Sequence, residues 1–160
     1  MNDGMISDGL TFVYSSLVTP PIDTGTVERV GGKEYRFVQN AATALTAGYP
    51  CVYMATNPDA ADWDVTATLD QGVAEGAFAG LALAAVGAYE YTWILKDGLY
   101  HTCTLLGAVT AGNGVIVDAD GASDGGFETA VDTGLLPLAG VAFESVTGAA
   151  TGVSVWVKDL

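Results

Sequence analysis

Apolar and polar residues alternate along this chain in short runs, with the period of a strand rather than a helix. "KEYRFVQN" (33–40) sets Tyr35 and Phe37 against Glu34 and Arg36, with Val38 breaking the alternation. "YPCVYMA" (49–55) puts Tyr49, Cys51 and Tyr53 on one side and Val52 and Met54 on the other. "WDVTATL" (63–69) is cleaner, with Trp63, Val65, Ala67 and Leu69 facing away from Asp64, Thr66 and Thr68. That is the pattern of a strand with one wet face.

The stretch from Ala77 to Leu106 is almost wholly apolar and divides into pieces. Phe78 to Ala85 reads as a buried strand, and Gly87 breaks it. Tyr91–Lys96 and Leu99–Leu106 read as two strands joined by Asp97-Gly98, a dipeptide that takes positive φ cheaply and predicts a two-residue hairpin turn. In that register Lys96 opposes Leu99, Ile94 opposes His101 and Thr92 opposes Cys103 on one face. Leu95 with Tyr100, Trp93 with Thr102 and Tyr91 with Thr104 occupy the other. Further strands are expected at Val115–Val117, in "LAGVAF" (138–143) and in "GVSVWVKDL" (152–160).

An internal repeat runs through these pieces. Ala79-Gly80-Leu81-Ala82-Leu83 matches Ala139-Gly140-Val141-Ala142-Phe143. Each is followed by a Gly-containing link and an aromatic strand ending in lysine, Tyr91–Lys96 in the first copy and Val153–Lys158 in the second. The pattern predicts two related strand pairs in one sheet system. The expected fold is all-β, an antiparallel sandwich or small barrel over residues 27–160, preceded by an extended arm over 1–26. The arm carries one apolar cluster, Leu10 to Val18, and then Pro20-Pro21, which cannot sit inside a sheet. Removing residues 1–20 should on this view leave the body folded.

Composition agrees with strands and turns. The 160 residues are half apolar and include 21 glycines, while Lys, Arg, Gln and Glu are scarce. Five basic residues face nineteen acidic ones, for a net charge of −14. Nucleic-acid backbones and anionic membranes repel such a surface, so neither is an expected partner. The first ten residues lack the basic and apolar regions of a secretory signal, and the apolar run from Phe78 to Tyr89, about 12 residues, is too short for a membrane helix. Cys51 and Cys103 do not make a disulfide framework and are expected to be reduced thiols of a protein made in a cytoplasm.

Candidate chemistry is sparse. His101, the only histidine, stands two residues from Cys103, so a strand would give them one face. No carboxylate lies nearby in sequence to orient the imidazole, and a packed histidine beside a buried thiol is expected. Asp118, Asp120 and Asp124 hint at calcium, but with Gly121 at the sixth position of an EF-hand loop the first and twelfth would be Ile116 and Phe127. A solvated turn fits better. Gly32-Lys33 lacks the first glycine and the Ser or Thr of a phosphate loop, and Gly112-Asn113-Gly114 is followed by Val117 where a dinucleotide loop needs glycine. Asp62 and Asp64 flank Trp63 and are expected on a solvated face. The three tryptophans could stack on sugar rings, but all lie in strand patterns that favour packing. No catalytic residue, metal or cofactor is expected.

The series "GKEYRFVQN", "AGYPCVY", "FAGLALAAVGAYEYTWILKDG", "GNGVIVDADG" and "LAGVAFESVTG…GVSVWVKDL" resembles the capsid decoration, or cement, proteins of tailed bacteriophages, over roughly residues 31–160. The resemblance lies in texture, a Gly/Ala strand followed by an aromatic strand, and some phage tail and fibre proteins share it. It implies a β-rich, usually trimeric body on the outer capsid surface of the virion, made in the host bacterial cytoplasm. It implies the major capsid protein and the chain itself as partners. It also implies that the arm lies along the capsid protein, with Leu10, Phe12, Val13, Tyr14, Leu17 and Val18 as contacts. A carbohydrate-binding module and a tail or fibre component are the alternatives.

Overall fold

In the structure, a computed structural model, residues 10–41, 43–53, 63–67, 78–117, 126–130 and 138–158 are described. They form ten strands: β1 (Val27–Val30), β2 (Lys33–Asn40), β3 (Pro50–Tyr53), β4 (Asp64–Ala67), β5 (Phe78–Ala82), β6 (Tyr91–Leu105), β7 (Gly114–Val117), β8 (Phe127–Thr129), β9 (Gly140–Ala142) and β10 (Ala150–Lys158). No helix occurs among the described residues. The chain is all-β, as its alternation predicts. The sheet is mixed rather than purely antiparallel, because β2 pairs with β4, and β6 with β8, in parallel.

The Asp97-Gly98 hairpin does not form, and this corrects the sequence expectation. Both residues lie inside the fifteen-residue strand β6. Asp97 pairs with Glu34 of β2 and with Lys158 of β10, and Gly98 pairs with Val157. The first half of β6 lies against β2 and β5, with Phe37 opposite Trp93 and Leu81 opposite Leu95. The second half lies against β10, with Tyr100 opposite Val155. Ladders offered by distant strands outweigh a local turn signal. Gly98 keeps its positive φ of 138° in the middle of a strand, where a Cβ would stand 2.7 Å from Lys33 Cγ. The two-residue turn belongs instead to Gly31-Gly32, at φ 58° and 78°, which closes the β1–β2 hairpin between Val30 and Lys33.

Strand pairing closes on itself twice. β2, β4, β3, β5 and the first half of β6 form one circuit, and the second half of β6, β10, β9, β7 and β8 form another. The two circuits repeat each other at a series of matching pairings. Pro50 pairs with Leu81 and Cys51 with Gly80; Gly114 pairs with Val141 and Val115 with Gly140. Tyr53 pairs with Val65 as Val117 pairs with Phe127. The isolated bridge Leu45–Val86 recurs as Val109–Val146. Leu81–Leu95 and Ala82–Ile94 recur as Val141–Trp156 and Ala142–Val155. The internal repeat is therefore a duplication of a five-stranded unit, and β6 serves both copies.

Each circuit encloses apolar side chains. Val38, Leu45, Cys51, Val65, Ala79, Ala82, Val86 and Ile94 form a cluster inside the first. Their counterparts in the second, including Val109, Val115, Phe127, Ala139, Ala142 and Val155, belong to a larger cluster. That cluster also takes in Phe78, Leu81 and Leu95, which alternate with the inward residues of β5 and β6 and so face out of the first circuit. Phe78 meets Phe127 edge-on with ring centroids 6.2 Å apart. The outer side of the first unit is thus buried against the second. Burying side chains of this size is worth about 1.5–3 kcal/mol each, which makes this seam a main source of cohesion.

Candidate interaction surface

The residues expected in the arm divide into two sets. Leu10 is buried in the larger cluster, Tyr14 packs against that cluster, and Val13 packs on the inner cluster of the first unit. Tyr14 pairs with Tyr91 through two 2.9 Å backbone hydrogen bonds and meets the Phe37 ring edge-on at 5.7 Å. Phe12, Leu17 and Val18 are exposed, Leu17 at 93 %. Residues 10–14 are thus tied to the body, while the other three side chains face outward. Residues 1–9 lie outside the described residues, as do Asp62 and the loop holding Asp118, Asp120 and Asp124.

His101 and Cys103 do not form a pair. His101 is exposed, with Nδ1 3.1 Å from Ser154 Oγ, and Ser154 donates its backbone N–H to Glu144 Oε1 at 3.2 Å. Ser154 is itself buried. Cys103 is fully buried, and burial pushes its thiol up to about 12; Cys51 is pushed up to about 12 for the same reason. A thiol held that far above neutrality supplies no thiolate for attack.

The tryptophans separate by environment. Trp93 is buried in the core. Trp63 is covered on its ring face by the Arg36 guanidinium, 4.1 Å from the ring centroid, and a Cβ on Gly25 would overlap its indole. Arg36 Nη1 also donates to Tyr53 Oη. This stacked arginine closes one side of the first unit. Trp156 is the most exposed of the three, at 39 %. Its Nε1 donates to Asp97 Oδ1 at 2.9 Å, and its ring stacks on Phe143 with centroids 6.4 Å apart and planes 26° from parallel.

Around Trp156 lie Val141, its partner on β9 and 38 % exposed, then Leu138 and Phe143 at 39 % and 55 %. The sequence marks these positions as apolar but not as exposed. The repeat aligns Phe78, Leu81 and Leu83 with Leu138, Val141 and Phe143. A longer match, Leu45-Thr46-Ala47-Gly48 with Val109-Thr110-Ala111-Gly112, extends the repeat to the turns that enter β3 and β7.

No protein-family model and no curated protein matches the chain. The site by itself defines a class: a duplicated β-protein with an exposed aromatic and aliphatic face and with both thiols held protonated.

Proposed function

We propose that this protein is a non-enzymatic virion structural protein that decorates and stabilises the outer surface of a phage capsid as a trimer. The observation that carries the reading is the apolar surface left uncovered at Leu138, Val141, Phe143 and Trp156, together with Phe12, Leu17 and Val18. Val141, Phe143 and Trp156 lie together on one face, and apolar groups gathered in this way suit contact. The resemblance to decoration proteins supports the same reading, and attachment through many copies multiplies weak contacts into strong retention. Co-sedimentation with undecorated tailed-phage heads tests it. The wild-type protein should pellet with heads of its cognate phage, and Phe12→Ser/Leu17→Ser should weaken pelleting while leaving the thermal transition unchanged. A protein that stays in the supernatant with every such head ends the proposal.

A second reading, a carbohydrate-binding module, is favoured by Trp156 itself. Its indole is fixed by Asp97 and exposed, a platform on which a sugar ring can stack. Glycan-array binding lost in Trp156→Ala would favour this reading over the first.

A further inference from the structure

We propose that the face formed by Leu138, Val141, Phe143 and Trp156 is the surface through which one copy of this chain binds another. The reason lies in the duplication. The strand register makes Leu81 the counterpart of Val141 and Leu95 that of Trp156. Phe78 and Leu83 hold the places of Leu138 and Phe143 in the repeat. In the first unit Phe78, Leu81 and Leu95 are buried, in one cluster with second-unit residues that include Phe127 and Val155. In the second unit the same positions are open. The same surface thus occurs twice, and apolar groups of this very chain cover the first occurrence.

The second unit has not been rebuilt for water where it matters. Ser154 precedes Val155 as Trp93 precedes Ile94, so one outward aromatic of the first unit has become a serine. The four neighbouring positions are apolar in both units, Phe78, Leu81, Leu83 and Leu95 in the first and Leu138, Val141, Phe143 and Trp156 in the second. Terminal units of repeat arrays carry a polar outer face, and among the described residues this face is apolar. Phe127 and Val155 are fully buried in covering the first face, so what a second copy offers in their place is its own open face, Val141, Phe143 and Trp156 meeting their equivalents.

Charge gives an independent discriminator. Each copy carries −14, so two copies repel at long range. Salt shortens that repulsion, and apolar contact is not weakened by it. Self-association through this face therefore strengthens as salt is raised, whereas docking onto a basic partner would weaken.

The inference deepens the reading above by naming the face that would hold the trimer together, and light scattering on a sizing column tests it without heads. The wild-type protein should run as an oligomer, more so in high salt. Val141→Lys and Phe143→Glu should shift it to monomer, raising the dissociation constant by about tenfold or more, as loss of a central apolar anchor does. Leu17→Ser should leave the mass unchanged. A second measurement isolates Trp156. Trp93 is buried and Trp63 is half-buried, so iodide quenching is read as the difference between the wild type and Trp156→Phe, and that difference should fall as the protein is concentrated. A wild-type monomer at all concentrations, an unchanged mass in both face variants, dissociation by Leu17→Ser, or quenching independent of concentration each overturns the inference. Loss of head binding with the oligomer intact would sink the capsid reading and leave this one standing.

Discussion

Trp156 and Asp97 are joined side chain to side chain, indole Nε1 to carboxylate Oδ1 at 2.9 Å. The bond ties the last strand of the second circuit to the middle of the strand both circuits share, and it fixes the most exposed indole in the protein. Asp97→Ala should cost about 1 kcal/mol or less, because water replaces the lost acceptor at an exposed site. The signature is in fluorescence. Compared against a Trp156→Phe blank, the variant's Trp156 anisotropy should fall, and an unchanged anisotropy would mean that Phe143 alone holds the ring.

Gly80 and Gly140 occupy matching places in the two units. A Cβ on Gly80 would stand 2.6 Å from the Leu95 carbonyl oxygen, and a Cβ on Gly140 would collide with the Trp156 carbonyl oxygen. Gly80 also holds φ at 151°. Each glycine-to-alanine change should destabilise by about 2–4 kcal/mol, since backbone cannot yield as a side chain can. Gly107→Ala, with open space at its Cβ, should stay within about 1 kcal/mol of wild type in a urea melt.

The two buried thiols make stability fall in alkali. Their folded pKa values, pushed up to about 12, lie above the ordinary 9.0 that the unfolded chain shows. Between those values the folded state holds more protons than the unfolded one, so unfolding free energy drops as pH rises from about 9 toward 12 and is unaffected below that window. Val115 stands in the second unit where Cys51 stands in the first. Cys51→Val should therefore fold, lose less than about 1.5 kcal/mol, and flatten part of the alkaline decline seen in denaturant melts against pH.

Asn40 is a fully buried amide that holds a loop by its side chain. Its Nδ2 donates to the carbonyls of Thr43 at 3.0 Å and Gly87 at 2.8 Å. The second unit has Leu105 at the corresponding parallel pairing. Leucine at position 40 would nevertheless remove the donor to the Thr43 carbonyl and leave Gly87 only its 3.4 Å bond from the Glu90 N–H. Asn40→Leu should cost about 2 kcal/mol or more, with hydrogen exchange rising first around Val86 and Gly87.

Tyr14 and Leu17 should respond oppositely to truncation. Tyr14→Ala removes a ring packed on Phe37 and should cost about 2 kcal/mol. Leu17→Ser should stay within about 0.5 kcal/mol in the same thermal melts. Equal losses would place Leu17 in the core as well.

Most strands could be read from the chain. β2, β3, β4, β7 and β10 fall where alternation and apolar runs put them, because side-chain period is a local property of an extended backbone. Two strands escaped it. β1 carries exposed side chains on nearly every position, and β8 is only three residues long, so neither leaves a hydrophobic trace. The exposed face at Trp156 escaped for a different reason. Its alternation is that of a buried strand, and only the positions of its neighbours leave it open.

What the sequence determined alone is the material: an all-β chain, a repeated strand pair and a net charge of −14. What the tertiary structure decided is partnership. Asp97-Gly98 became the midpoint of a long strand instead of a turn, and equivalent apolar faces became one interior and one surface. Backbone hydrogen bonds carry no record of which distant strand will supply them, and burial depends on what else has folded nearby. Those choices are made when non-local ladders compete, and the pattern along the chain cannot rank them.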